Sequence, residues 1–118
     1  MPAKIDQAIQ QGLEHHSAGR LAEAERIYRG VLQGSPDHAE ALHLLGVARL
    51  QSGNLSQAAE SIEKAVQLNP KNPDYLNNLG EAYRRLKRPL DAERRYREAL
   101  EIDPRFAEAH NNLGNAMR

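Results

Sequence analysis

The sequence contains no cysteine, and aromatic residues make up only 4 % of its 118 residues. The absence of cysteine excludes disulfides, thiolate nucleophiles and cysteine-based zinc sites, but it does not identify the compartment. No segment approaches the roughly 20 consecutive apolar residues that a membrane-spanning helix needs, and segment 1–20 lacks the apolar run of a secretory signal peptide. We therefore expect a soluble, cytoplasmic protein without membrane contact.

Net charge is also absent, because 16 Lys and Arg residues balance 16 Asp and Glu residues. A neutral chain has no overall electrostatic attraction to nucleic acid or to an anionic membrane. The residues that are abundant, Ala, Leu, Glu, Arg and Gln, favour helix over strand by intrinsic propensity. The composition therefore predicts an all-α protein.

The clearest regularity is a period of 34 residues, which indicates a repeat protein. Four kinds of position recur at this spacing: the prolines Pro36, Pro70 and Pro104, the glycines Gly12, Gly46, Gly80 and Gly114, the alanines Ala24, Ala58 and Ala92, and the larger residues Tyr28, Ile62 and Tyr96. Apolar residues within each period follow helical spacing, and the length of a period fits two helices. The chain is thus predicted to repeat one helical hairpin.

The turns between these helices are marked by residues that interrupt helices. Gly19, Gly53 and segment 87–89 lie in the middle of each period, and a proline that cannot continue a helix ends it. A glycine and an alanine at the crossing of two helices let their backbones approach closely. The Tyr or Ile four residues after each alanine lies on the same helix face and can fill the space beside the crossing.

Two blocks, AEALHLLGVARLQSGNLSQAAESIEKAVQLNP and NNLGEAYRRLKRPLDAERRYREALEIDP, resemble tetratricopeptide repeats. The resemblance covers three full repeats, 5–38, 39–72 and 73–106, and a partial repeat, 107–118. It implies a right-handed superhelical array of about seven helices, acting as a non-catalytic protein-interaction scaffold without cofactors. The first repeat departs from the family pattern at Ala8, Gln11 and His15.

The resemblance also implies a binding surface, because the first helix of each repeat lines a concave groove in this family. The residues that match groove positions are Ile9, Leu13, His43, Leu44, Val47, Asn77, Asn78, Arg84, Asn111, Asn112 and Asn115. The first half of this groove is apolar and the second half is rich in amides. Under the alternative interpretation, the apolar residues only complete the core and the asparagines are merely solvated.

Asn78 and Asn112 are the predicted principal contacts, since both take the sixth position of their repeats. Neighbouring parallel helices lie about 10 Å apart, a spacing that matches every third residue of an extended peptide rising about 3.3 Å per residue. A carboxamide can bind a peptide N–H and C=O together, whatever the peptide's side chains. Family members that clamp a terminal carboxylate use Lys, Asn and Arg. The matching positions here are Ile9, Leu13, Leu44, Asp74 and Asn78, so we do not expect that type of clamp.

Catalysis and metal binding are not predicted. The five histidines show no spacing of a recognised ligand or catalytic motif, and no glycine belongs to a phosphate-binding loop. A basic cluster comprises Arg84, Arg85, Lys87, Arg88, Arg94, Arg95 and Arg97. We expect a solvated face in which Glu98 and Glu101 pair with Arg94 and Arg97; an acidic protein segment or, less favoured, nucleic acid is the alternative partner.

Two further alternatives concern the C-terminal end. The fourth repeat stops after one helix, which predicts that Leu113 and Met117 mediate self-association into homo-oligomers. The phrase NNLG at 77–80 and 111–114 is similar to repeats preceding bacterial protein-glycosyltransferase-like catalytic domains. That similarity implies a substrate-recruiting arm of a larger enzyme.

Overall fold

The computed structural model describes residues 2–116, with side chains for residues 4–115, and shows an all-α array. Its helices are α1 (Pro2–Ser17), α2 (Leu21–Gly34), α3 (Ala39–Ser52), α4 (Leu55–Leu68), α5 (Pro73–Arg85), α6 (Pro89–Ile102) and α7 (Ala107–Ala116). The predicted fold class is confirmed, since seven helices and no strand occur within the described range.

The helices pack in the order in which they follow one another along the chain. The hairpins α1–α2, α3–α4 and α5–α6 contact one another through α2 with α3 and α4 with α5, and α7 packs on α6. Stacking of this kind makes the molecule elongated, 42 Å by 26 Å by 21 Å. Stability therefore depends on contacts within hairpins and between nearest neighbours.

A left-handed residue closes the turn inside each hairpin. Gly19 and Gly53 have φ values of 81° and 88°, and Lys87, at the same place in the third repeat, has φ of 64°. After α3, the amide of Asn54 donates to the carbonyl of Arg49 at 2.9 Å, and the amide of Gly53 donates to the carbonyl of Leu50. These two bonds form the pattern that commonly ends helices at a glycine.

The turns between hairpins carry different signals. Nδ1 of His38 accepts from the amide of Ala41 at 3.1 Å, and Oδ1 of Asn72 accepts from the amide of Tyr75 at 3.2 Å. Each bond satisfies one of the free amides at the start of a helix. The proline after Asn72 begins α5, and the proline after Arg88, in the turn inside the third hairpin, begins α6; at both places a missing N–H costs nothing.

The two helices of each hairpin cross at the recurring glycine. Tyr28, Ile62 and Tyr96 are fully buried and lie against Gly12, Gly46 and Gly80, respectively. A Cβ atom on Gly80 would lie only 2.5 Å from Cε1 of Tyr96 and 2.7 Å from its Cδ1. The close approach predicted from the sequence is therefore present in all three hairpins.

The first repeat contributes a thinner core than the others. Gln11 is exposed, whereas Leu45 and Leu79 are buried at the same position of the next two repeats. Ala8 likewise replaces a large apolar residue, and an open cavity of about 530 Å³ lies between α1 and α2. The departures of the first repeat from the family pattern thus have a direct effect on its packing.

We predict that Gly80→Leu destabilises the protein by about 1–3 kcal/mol, because the new side chain must displace the buried ring of Tyr96. The matched control is Gly114→Leu, which changes the same position of the last repeat, where a Cβ would meet no atom of the described residues within 4 Å beyond its chain neighbours and its own helix backbone. Chemical denaturation measures both changes. Equal stability of the Gly80 variant and the parent would contradict the role assigned to the crossing.

Candidate functional site

Helices α1, α3, α5 and α7 form one side of the array, which we call the groove face. Four hydrogen bonds join consecutive helices of this face, and each links residues that are 35 positions apart. They are His16 Nε2 with Gln51 Oε1 at 2.8 Å, His43 Nε2 with Asn78 Nδ2 at 2.7 Å, the Leu50 carbonyl with Arg85 Nη1 at 2.8 Å, and Asn77 Oδ1 with Asn112 Nδ2 at 3.0 Å.

The separation of 35 has a simple geometric meaning. A period of 34 residues places equivalent positions of neighbouring repeats side by side, and an offset of one more residue pairs the fifth position of one repeat with the sixth of the next. His43 and Asn78 form such a pair, and so do Asn77 and Asn112. The groove face therefore consists of paired positions rather than independent side chains.

The first polar pair joins Asn78 to a neutral histidine. His43 stacks on Tyr75, with ring centroids 4.4 Å apart, and burial lowers the pKa of His43 to about 4. An amide nitrogen can only donate, so Nε2 of His43 must accept, with the ring proton on Nδ1. Burial and the hydrogen bond therefore both favour the uncharged ring.

The second polar pair, Asn77 with Asn112, is more deeply buried. Asn77 is only 2 % exposed, and its Oδ1 accepts from Nδ2 of Asn112, which is half-buried. This burial corrects the expectation that Asn77 contacts a peptide directly, because its side chain is covered by neighbouring helices. Ile9, at the same position of the first repeat, is 6 % exposed and belongs to the core for the same reason.

The remaining groove residues differ in how accessible they are. Leu13, Leu44 and Val47 are half-buried, and the two leucines also pack against the core of the first hairpins. On α7, Asn111 and Asn115 are exposed. The face thus has an apolar part and an amide-rich part whose side chains differ in exposure, and their contact with a ligand stays a prediction.

Arg84 is exposed, but its charge is engaged within its own helix. Its Nη2 lies 2.6 Å from Oε2 of Glu81, and its Nε donates to Oε1 of the same carboxylate at 3.1 Å. The hydrogen bonds to Glu81 raise the pKa of Arg84 above its ordinary value. The Arg84–Glu81 pair itself therefore carries little net charge.

Most of the basic cluster is paired in the same way. Salt bridges of 2.8–2.9 Å join Arg88 to Asp91, Arg95 to Glu98 and Arg97 to Glu93. Glu98 thus pairs with Arg95 rather than with Arg94 as the sequence suggested. Exposed pairs of this kind are worth about 0–1 kcal/mol each, so their main effect is to reduce the local positive charge.

The residues predicted for self-association are only partly described. Leu113 is half-buried and packs against the core, while Met117 lies outside the described residues. Leu90 and Ile102, on the neighbouring α6, are exposed apolar residues that the sequence pattern did not single out. Self-association through this end stays a prediction.

Metal-binding clusters and membrane-spanning helices are both absent from residues 2–116. No group of three or more His, Asp or Glu side chains in this range is arranged to hold a metal ion. Within the same range, no helix combines the length and apolar character needed to cross a membrane.

The low pKa of His43 predicts that stability falls in mild acid. The folded protein holds the His43 proton more weakly than the unfolded chain, with pKa values of about 4 and 6.5. The stability that the neutral His43 contributes is therefore fully present above about pH 6.5 and is lost as the pH falls to about 4. Between pH 7 and pH 4, the parent should lose about 1–3 kcal/mol more unfolding free energy than His43→Gln.

Denaturation at a series of pH values measures this difference. His110→Gln, which changes an exposed histidine of α7, is the control and should keep the pH dependence of the parent. Parallel stability profiles for the parent and His43→Gln would contradict a neutral, buried His43.

Comparison with known proteins agrees with this architecture. An O-GlcNAc transferase mutant from Thermobaculum terrenum superposes with a TM-score of 0.95 and 33 % identity over 98 % of the chain. The chain spans only 22 % of the length of that transferase. The first tetratricopeptide repeat domain of Spaghetti (RPAP3), bound to an HSP90 peptide, superposes with a TM-score of 0.93 and 22 % identity, covering 98 % of the chain and 91 % of that domain.

A third structure, the Sgt2 domain from Aspergillus fumigatus, gives a TM-score of 0.93 with 21 % identity, covering 98 % of the chain and 78 % of that structure. No curated protein matches the sequence significantly. The tetratricopeptide repeat profile matches residues 15–77 and again, one period later, residues 49–113. Since these matches cover most of a helical array with the predicted period, the chain belongs to the tetratricopeptide repeat family.

Proposed function

We propose that the chain is a non-catalytic protein-interaction scaffold that binds an extended segment of a partner protein across α5 and α7. One observation carries the proposal: the amides of Asn78 and Asn112 are held in the same way, one repeat apart. Each uses one N–H within the protein, which leaves the carbonyl oxygen and the second N–H of each amide for a ligand. The two groups suit a peptide backbone.

Backbone recognition makes the scaffold tolerant of the sequence that it binds. Each hydrogen bond contributes a net free energy of about 0.5–1.5 kcal/mol, so two asparagines alone give modest affinity. Leu13, Leu44 and Val47 continue the groove face towards α1 and can add apolar contacts. A longer ligand would therefore bind more tightly than one confined to the two amides.

The solved structures support a binding role of this general kind. The Spaghetti domain has the same fold and was solved with an HSP90 peptide. The present chain has Ile9, Leu13 and Asp74 at positions where clamping members of the family carry amide or basic residues, which favours contacts along a peptide backbone. A free terminal carboxylate is thus not the expected anchor.

A substrate-recruiting arm is a special case of the same scaffold. The 33 % identity with the transferase from Thermobaculum terrenum extends over nearly the whole chain. An attached catalytic domain would then act on the segment that the groove holds. Binding through the backbone would suit an arm that serves many substrate proteins.

We predict that Asn78→Ala/Asn112→Ala weakens binding of an unstructured peptide of alternating alanine and serine by roughly tenfold to a hundredfold. The physical reason is the loss of two side chains that bind the backbone. Nuclear magnetic resonance titration at millimolar peptide measures the affinity, and circular dichroism checks that the variant is folded.

The matched control is Asn54→Ala/Asn69→Ala, which removes two exposed asparagines from the turns that flank α4. This control should bind as the parent does. Equal binding by the groove variant, or no binding by the parent, would refute backbone recognition by the two asparagines.

A further inference from the structure

The open cavity of about 530 Å³ between α1 and α2 shares no residue with the predicted groove positions. We call it the α1–α2 cleft. Its lining is largely apolar or small and includes Ile5, Ala8, Ile27, Gly30 and Val31. A contiguous apolar surface of this kind commonly marks a place where another molecule binds.

Small residues at two positions of the first repeat open the cleft. Ala8 stands where the second and third repeats have Leu42 and Leu76, which are only 7 % and 2 % exposed. Gly30 lies inside α2, where glycine lowers helix stability relative to most residues. A Cβ on Gly30 would meet no atom of the described residues within 4 Å beyond its chain neighbours and its own helix backbone. The described contacts of the chain therefore do not require a glycine there.

The later repeats show what covers the corresponding side of a first helix. α2 packs against α3, and α4 packs against α5. Leu32 of α2 packs against the core clusters that contain Leu42 and Leu45, and Val66 of α4 belongs to the same cluster as Leu76. Each of these first helices is thus covered by a second helix that contributes apolar side chains. Within residues 2–116, the extensive contact of α1 is with α2 alone, so the corresponding side of α1 is open.

The charged residues that line this region are basic. Lys4 lines the cleft itself, and Arg26 and Arg29 line a smaller opening of about 300 Å³ that shares Gly30 with the cleft. The two arginines lie 3.8–3.9 Å from carboxylates of their own helix, and such exposed contacts are weak. The three basic side chains therefore favour a ligand with acidic residues beside its apolar surface.

We propose that the α1–α2 cleft is a second binding site, which takes an amphipathic helix of a partner protein. The helix covers α1 as α2 covers α3, and it inserts a large apolar side chain beside Ala8. Its acidic residues face Lys4, Arg26 and Arg29, and Gly30 lets its backbone approach α2 closely. Because this site is separate from the groove face, the scaffold can hold two partner segments at once.

The second helix of the second repeat provides a probe for this site. A synthetic peptide of residues 54–69, held helical by a covalent side-chain bridge on its polar side, reproduces α4, which covers α5 and bears Glu60 and Glu63. The dye-labelled peptide should bind the parent in a fluorescence anisotropy titration that reaches millimolar protein. Replacement of the two glutamates of the peptide by Gln should weaken binding roughly twofold to fivefold, because exposed charge pairs contribute little each.

Two variants separate binding from folding, because both should raise the thermal unfolding temperature of the free protein. Ala8→Leu fills the cleft with the side chain found in the later repeats, and Gly30→Gln introduces a residue that favours helix. Each should weaken binding of the helical peptide by roughly tenfold or more, since the new side chain occupies the space of the docked helix. The control is Lys64→Gln, which changes the position of Gly30 in the second repeat and should bind as the parent does.

A comparison with the groove variant distinguishes this site from the proposed function. Asn78→Ala/Asn112→Ala should keep the affinity of the parent for the helical peptide, and Ala8→Leu should keep the affinity for the alanine and serine peptide. Loss of helix binding in the groove variant would place the helix on the groove face and overturn the second site.

Two further results would count against the proposal. Absence of helix binding by the parent, or equal affinity of the parent and Ala8→Leu, would overturn the second site and leave the proposed function standing. Sedimentation velocity tests whether a second copy fills the cleft instead. Dimers of the parent that Ala8→Leu abolishes would overturn the assignment of the cleft to a partner helix.

Discussion

Each hairpin is built on the contact between a glycine in its first helix and a bulky ring or branched side chain in its second. Gly80 and Tyr96 show the constraint most clearly, because the ring occupies the space that a Cβ would need. Tyr96 is fully buried, so the contact removes a large apolar surface from water while bringing the two backbones close together. The same contact recurs at Gly12 with Tyr28.

The position of the groove side chains depends on this repeated crossing. Because every hairpin closes in the same way, the first helices of successive repeats lie side by side with a constant offset. The offset brings a residue next to the one 35 positions later, as His43 and Asn78 show. This offset determines which residues of neighbouring helices meet on the groove face. Ile9 and Leu44 belong to one apolar cluster, whereas Asn77 and Asn112 form a hydrogen bond.

Much of the fold could be predicted because it depends on local, periodic features. The spacing of Gly46 and Ile62 indicates a close crossing, and Gly53 indicates a turn that needs a positive φ. Lys87 takes the same left-handed conformation without a glycine, since the hydrogen bonds that close the turn determine the backbone there.

The site was less predictable, because pairing across helices is set by packing and not by the period alone. Reasoning by position placed Asn77 in the groove beside Asn78, although consecutive residues of a helix point about 100° apart, and here the side chain of Asn77 is buried. A separation of 35 residues identifies the paired positions of neighbouring repeats. It can be applied to the sequence only after one such pair is known from the structure.

Hydrogen bonds between equivalent helices link neighbouring repeats on the groove face. His43 and Asn77, at the fifth position, each form a hydrogen bond with the asparagine at the sixth position of the next repeat. The most direct test of backbone recognition on the groove face is a crystal structure of the protein with the alanine and serine peptide. We predict a peptide chain that crosses α5 and α7, with backbone groups hydrogen-bonded to the side-chain amides of Asn78 and Asn112 at about 2.7–3.2 Å. A peptide bound elsewhere, or one that makes no hydrogen bond to these two side chains, would contradict it.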